Sequence, residues 1–222
     1  MARRGDALHE HILDTAKLVF LESGFERTSM DTVAACASTS KRSLYAHFPT
    51  KDALFLACID RSHQLFEGRL LAPSHYAQDP ADAVARYCAR FVQLLSYAPI
   101  LQMCRIGITE APRLPEAAAR IYETFLGTAT RGLATHLATH WHLDVPEATA
   151  LAVRILGATV LPSFVGALFG LQELRSEVPD EAAIANDVNV VEMQRVVYEV
   201  LRAPAPAVHT RKAPTWREPE GF

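Results

Sequence analysis

Apolar residues recur at three- and four-residue intervals along almost the whole chain, and no segment alternates apolar and polar positions as a strand would. The pattern predicts an all-α protein. Its first helix spans about Asp6 to Ser23, with Leu8, Ile12, Ala16 and Phe20 on one stripe and Gly24 as the stop. A short helix follows from Met30 to about Ala37, with Ser29 as its cap and Asp31 in the first turn, where the helix dipole favours an acid. A second short helix covers about Lys41 to His47 behind Ser40, and ends at Phe48-Pro49 because the residue before a proline is pushed out of helical geometry. Thr50 then caps a longer helix to about Leu71, with Leu54, Phe55, Cys58, Ile59, Leu65 and Phe66 on its apolar side.

Beyond this point prolines punctuate the chain. Asp79-Pro80 reads as a cap and first helical residue for a helix to about Tyr97, carrying Val84, Tyr87, Cys88, Phe91, Leu94 and Leu95. Pro99 separates a shorter helix, about Leu101 to Thr109, and Pro112 and Pro115 bracket a turn before a long helix from about Glu116 to Trp141. Asp144 and Glu147 are spaced as a capping box for a helix to about Arg175, with a kink expected at Pro162. A last helix covers about Asp187 to Leu201, and the tail beyond, with Pro204, Pro206, Pro214 and Pro219, reads as extended. About nine helices are expected: a three-helix head in residues 1–50, a larger helical body in 51–202 and a proline-rich tail in 203–222.

Charge changes this picture locally rather than globally. The chain has 22 Lys and Arg against 25 Asp and Glu, a net charge of −3, so it does not coat nucleic acid by bulk charge. Yet the run from Ser38 to Lys51 holds Lys41, Arg42 and Lys51 with no acid, which suggests a local anion-facing patch. The cysteines, Cys36, Cys58, Cys88 and Cys104, fall within apolar helical patterns without metal-like pairing, as core thiols of a reducing compartment would. The N-terminus lacks an apolar secretory core, and no run approaches the ~20 apolar residues of a membrane span. A cytoplasmic protein that engages no membrane is therefore expected.

The two short helices meet the requirements of a helix-turn-helix: one braces the backbone, and the second exposes polar residues while its other face packs inward. Val33, Ala34 and Ala37 supply small packing residues on the first, and Leu44 and Phe48 on the second. Lys41, Arg42, Ser43, Tyr45 and His47 are left for the outer surface.

The string TSMDTVAACASTSKRSLYAHFPTKDALF, Thr28 to Phe55, closely resembles the N-terminal domain of the TetR family of bacterial regulators, with the likeness extending upstream through Ile12, Ala16, Phe20, Gly24 and Phe25. The resemblance implies a fold of a DNA-binding head on a helical effector-binding and dimerisation domain. It places Thr28 and Ser29 beside a phosphate at a helix N-terminus, Tyr45, His47 and Lys51 on the DNA backbone, and Thr39, Ser40, Lys41, Arg42 and Ser43 at the turn and start of the recognition helix. Arg42 is the first choice for base reading, because a guanidinium can pair bidentately with guanine. The sequence departs from the family at Ser38, where glycine is usual, at Thr39, where a small apolar residue is usual, and at Arg42, where a small residue is common. Serine takes a left-handed turn less easily than glycine, so a strained turn is expected.

For the body the resemblance implies a homodimer through the last two helices, a palindromic operator in double-stranded DNA, and a repressor released by an apolar small-molecule effector. The segment from Arg105 to Thr128 looks like the AefR-like subgroup. Phe91, Leu95, Met103, Ile106, Tyr122, Phe125 and Phe164 are the candidate walls of the effector pocket. No cofactor and no catalytic constellation is expected. Two alternatives remain at this level: a metal-responsive regulator using His136, His140 and His142, the first two one helical turn apart, or an all-α enzyme.

Overall fold

The structure, a computed structural model, describes residues 2–203; the expected extended tail therefore lies outside the described residues apart from Ala203. Helices account for nearly all of the regular structure, and the one β-type pairing among the described residues is a single bridge between Tyr97 and Arg175.

The head consists of α1 (Ala2–Arg27), α2 (Met30–Cys36) and α3 (Lys41–His47), and α4 (Lys51–Glu67) leads from it into the body. Gly24 interrupts α1 with φ of +78°, a conformation that only glycine takes without a Cβ penalty. The break lets Phe25 fold back beside Phe20 and Phe55, whose rings lie 4.9–5.8 Å apart at the centre of the head. Ser29, Ser40 and Thr50 each accept a backbone N–H three residues on, so α2, α3 and α4 all start from side-chain caps.

The body contains α5 (Pro80–Leu95), α6 (Ala98–Glu110), α7 (Pro115–Tyr122), α8 (Thr128–Trp141), α9 (Val145–Thr159), α10 (Leu161–Leu168), α11 (Ile184–Asp187) and α12 (Val190–Arg202). Helix α5 is its axis: Val84, Tyr87, Cys88, Phe91 and Leu94 are buried on it, and α12, α8 and α6 all pack around it. A buried cation ties the irregular segment before α11 to this axis. Arg90 donates to the Pro179 and Arg69 carbonyls, while Gln93 reaches the Asp180 carbonyl and the Asp187 carboxylate.

Several expected boundaries are corrected. The single helix from Glu116 to Trp141 is divided by a π-helical turn, Glu123–Gly127, which separates α7 from α8. The helix to Arg175 ends instead at Leu168: the chain bends by 55° between α9 and α10, and Gly170 at φ +76° then turns it away. Helix α4 stops at Glu67 rather than Leu71, and the last long helix begins at Val190, behind an Asn189 cap. The expected capping box at Asp144 and Glu147 is present. No single helix among the described residues is long and apolar enough to cross a membrane.

Candidate nucleic-acid interface and effector cavity

Helix α3 is held by its buried Leu44 and by Phe48 just beyond its end, which leaves Lys41, Arg42 and Tyr45 exposed and Ser43 and His47 half-buried. The helix carries no acid of its own. Lys41 donates to Asp31 of α2 at 2.7 Å, an exposed pair that ties the two short helices together. Arg42 meets no carboxylate within 4.0 Å among the described residues, so it is the free cation of α3. His47 sits edge-on to His9 of α1, with ring centroids 5.6 Å apart, and His9 also lies 4.8 Å from Phe48. His9 carries no local sequence signal for this place, because its position beside α3 depends on the packing of α1. The turn before α3 contains Ser38 at φ +49°, a left-handed conformation at the position where glycine was missing, and Thr39 is half-buried.

Two of the residues expected at the phosphates have other partners. Thr28 is only 2% exposed and its hydroxyl donates to the Gly24 carbonyl at 2.7 Å, which makes it a joint of the head. Lys51 turns its ammonium inward. It donates to the carbonyls of Phe25, Glu26 and Thr28 at 2.9, 3.2 and 3.0 Å and lies 4.3 Å from the centre of the Phe25 ring. It thereby closes the C-terminal end of α1, where the helix dipole and free carbonyls favour a cation. Ser29 stays exposed at the start of α2, with its oxygen against the Thr32 N–H and hydroxyl.

In the body, α6, α7, the π turn and α10 border an open cavity of about 240 Å³. Tyr122, Phe125 and Phe164, three of the expected wall residues, line it together with Ile108 and Ile121. None of its lining residues is charged. Met103 and Phe125 also face a groove between α1, α4 and α6, and Leu95 borders a narrow space beside Phe164. Phe91 and Ile106 are packed in the core, Phe91 edge-on to Phe66 with centroids 6.1 Å apart. The small residues Gly107, Ala111 and Ala118, which provide the room in the cavity, carry no sequence signal of their own.

The histidine alternative is not supported by this geometry. His136 and His140 approach to 4.4 Å between ring centroids, but His136 Nε2 is engaged with the Pro80 carbonyl at 3.1 Å. His142 lies past the helix end in a left-handed conformation at φ +53°. Among the described residues no three His, Cys, Asp or Glu side chains are gathered to hold a metal ion. Burial pushes the thiols of Cys58, Cys88 and Cys104 up to about 12, consistent with unreactive core residues.

Residues 12–58 match the family described as bacterial regulatory proteins of the tetR family, and residues 82–194 match the C-terminal domain of AefR-like transcriptional repressors. The chain belongs to the TetR family. Curated proteins include no sequence match. Among solved structures, a Mesorhizobium loti protein described as a TetR-family transcriptional regulator is similar at a TM-score of 0.69 and 20% identity, covering 89% of this chain and 96% of its own. The flavonoid-responsive regulator FrrA is similar at 0.64 and 23% identity, covering 88% and 94%. AibR, solved with isovaleryl coenzyme A and operator DNA, is similar at 0.54 and 21% identity, covering 81% and 94%. The TetR-family regulator here thus has the family's helix-turn-helix on an all-helical body.

Proposed function

We propose that this TetR-family regulator is a homodimeric repressor that reads a palindromic operator through α3 and releases it when an apolar small molecule occupies the body. The observation that carries the reading is α3 itself: a short, capped helix, braced by α2, presenting Ser40, Lys41, Arg42 and Tyr45 to solvent without an acid. Base readout falls to Arg42, and Ser29, Thr39, Ser43, Tyr45 and His47 position the helix on the backbone. Lys51 serves this interface from behind, by tying the start of α4 to the end of α1, and Thr28 by closing the break at Gly24.

Dimerisation through α9, α10 and α12 is supported by what those helices leave uncovered. Val153, Leu161, Val165 and Phe169 are exposed, and with Gly157 between the first two they recur at every fourth position. Such a contiguous apolar stripe is unusual on a monomer's surface and suits a second copy related by a two-fold axis. Two heads would then meet successive major-groove faces about 34 Å apart. The uncharged cavity beside Tyr122, Phe125 and Phe164 suits an apolar effector, and a small-molecule ligand and operator DNA are bound in the AibR structure. An effector that favours one head spacing would shift the dimer away from the operator-competent one.

Selection of bound duplexes from a random-sequence pool by the full chain tests this function. Enrichment of an inverted repeat is the expected result; an unenriched pool would sink the proposal.

A further inference from the structure

A shallow groove with a volume of about 120 Å³ opens to solvent where the head meets the body. Leu18 and Leu21 of α1, Phe66 of α4 and Ile100 and Met103 of α6 give it apolar walls. Lys17 of α1 and Arg69, just past α4, also line it, and no acidic residue does. Of the nearby carboxylates, Glu10 pairs with Arg61 at 2.8 Å and Glu67 lies 3.4 Å from His63, while Asp14 is exposed and 4.0 Å from Arg61. Among the described residues neither Lys17 nor Arg69 has a carboxylate within 4.0 Å, and, unlike the exposed Arg27 and Arg42, which also lack one, both are half-buried against an apolar groove. Two half-buried cations beside an apolar wall, with no counter-ion, favour a ligand that brings both a negative charge and a hydrophobe.

We propose that this junction groove binds an amphiphilic anion. Its hydrophobe would lie on the leucine, isoleucine and phenylalanine wall, and its carboxylate or phosphate head would be held by Lys17 and Arg69. The site is separate from the uncharged cavity of α6, α7 and α10, although Phe125 of the π turn forms a wall of both. A molecule seated here touches α1 of the head and α6 of the body at once, so it bears directly on the angle between them. In that respect the inference rests on the reading of the chain as a ligand-responsive regulator.

The test is a fluorescence titration of the full chain with anilinonaphthalene sulfonate and with its uncharged parent, phenylnaphthylamine. The sulfonate is expected to saturate one site per chain. The K17Q/R69Q double variant should bind it about tenfold more weakly or worse, while binding the uncharged parent unchanged. L18E, at an exposed position on the groove's rim, should weaken the sulfonate likewise, and R131Q/R195Q, which removes the same net charge elsewhere, should not. Decanoate and decyl phosphate then compete for the bound probe: displacement by one of them identifies the head group, and displacement by neither overturns the proposal. Equal sulfonate affinity in the wild type and K17Q/R69Q, or no saturable binding, also overturns it. The titration contains no DNA, so its failure leaves the operator reading standing. Equally, a chain that selects no DNA site could still hold the anion here.

Discussion

Replacing Lys51 by methionine keeps the aliphatic stem and removes only the ammonium. The three carbonyls it now serves, of Phe25, Glu26 and Thr28, would lose a charged donor at 2.9–3.2 Å, and the Phe25 ring would lose its cation. A hydrogen bond to a charged group contributes about 1.5–3 kcal/mol and a partly exposed cation–π contact about 0.5–1 kcal/mol. One ammonium shared among three acceptors does not contribute three full bonds, because its own desolvation offsets part of the gain. The expected cost is therefore about 2–3 kcal/mol, or a fall in Tm of roughly 4–12 °C for a chain of this size. Thermal and urea unfolding followed by circular dichroism measure it. The operator arm of the same experiment is as informative. A lysine that neutralised a phosphate would contribute about 0.9 to the slope of log K against log salt. With its ammonium facing α1, K51M should leave that slope unchanged at temperatures where the head is folded. Unaltered stability together with a slope reduced by about 0.9 would refute the inward assignment.

Three further outcomes follow from local geometry. Ser38→Gly should stabilise the protein by about 0.5–1 kcal/mol in urea unfolding, since relief of the left-handed serine (about 1–2 kcal/mol) exceeds the added chain entropy of glycine, whereas Ser38→Val should destabilise it. Burial, reinforced by the neighbouring His140 against the Pro80 hydrogen bond, holds the His136 imidazole below its usual 6.5. The unfolded chain therefore takes up the proton first, so stability is full above about pH 6.5 and falls as pH drops further; His136→Phe should remove that part of the slope in urea midpoints measured across pH. Val153→Arg with Val165→Arg should convert a dimer to monomer in light scattering after gel filtration, because each charge would be buried against its two-fold mate.

The head was largely legible because its signals are local. Ser29, Ser40 and Thr50 act within three residues of themselves, and Gly24 and Pro49 impose their backbone geometry at once. What escaped depends mostly on residues far apart in the chain. Lys51 carries the polar character of a DNA-facing residue, yet its ammonium serves carbonyls up to 26 positions away; Thr28, whose partner Gly24 is only four residues back, was hidden because the bond forms only where α1 breaks. In the body, helical periodicity runs on through Glu123–Gly127, so a π turn that keeps the apolar face in register leaves no mark in the pattern. The end of α10 at Leu168 was equally hidden, since Phe169 and Leu171 extend the apolar run although both are exposed. Aromatic residues recur along the body helices, but only the crossing of α6, α7 and α10 decides that Tyr122, Phe125 and Phe164 meet a cavity while Phe91 fills the core.

The central claim is that Arg42 on α3 reads base identity. Fluorescence anisotropy on a selected operator, with each base pair of the half-site substituted in turn, measures this for the wild type and R42A. At one position the wild type should discriminate by about 1–3 kcal/mol and R42A should bind all four base pairs nearly alike, with the other positions retained. An R42A variant that keeps the full discrimination profile, or loses affinity equally at every sequence, would contradict it.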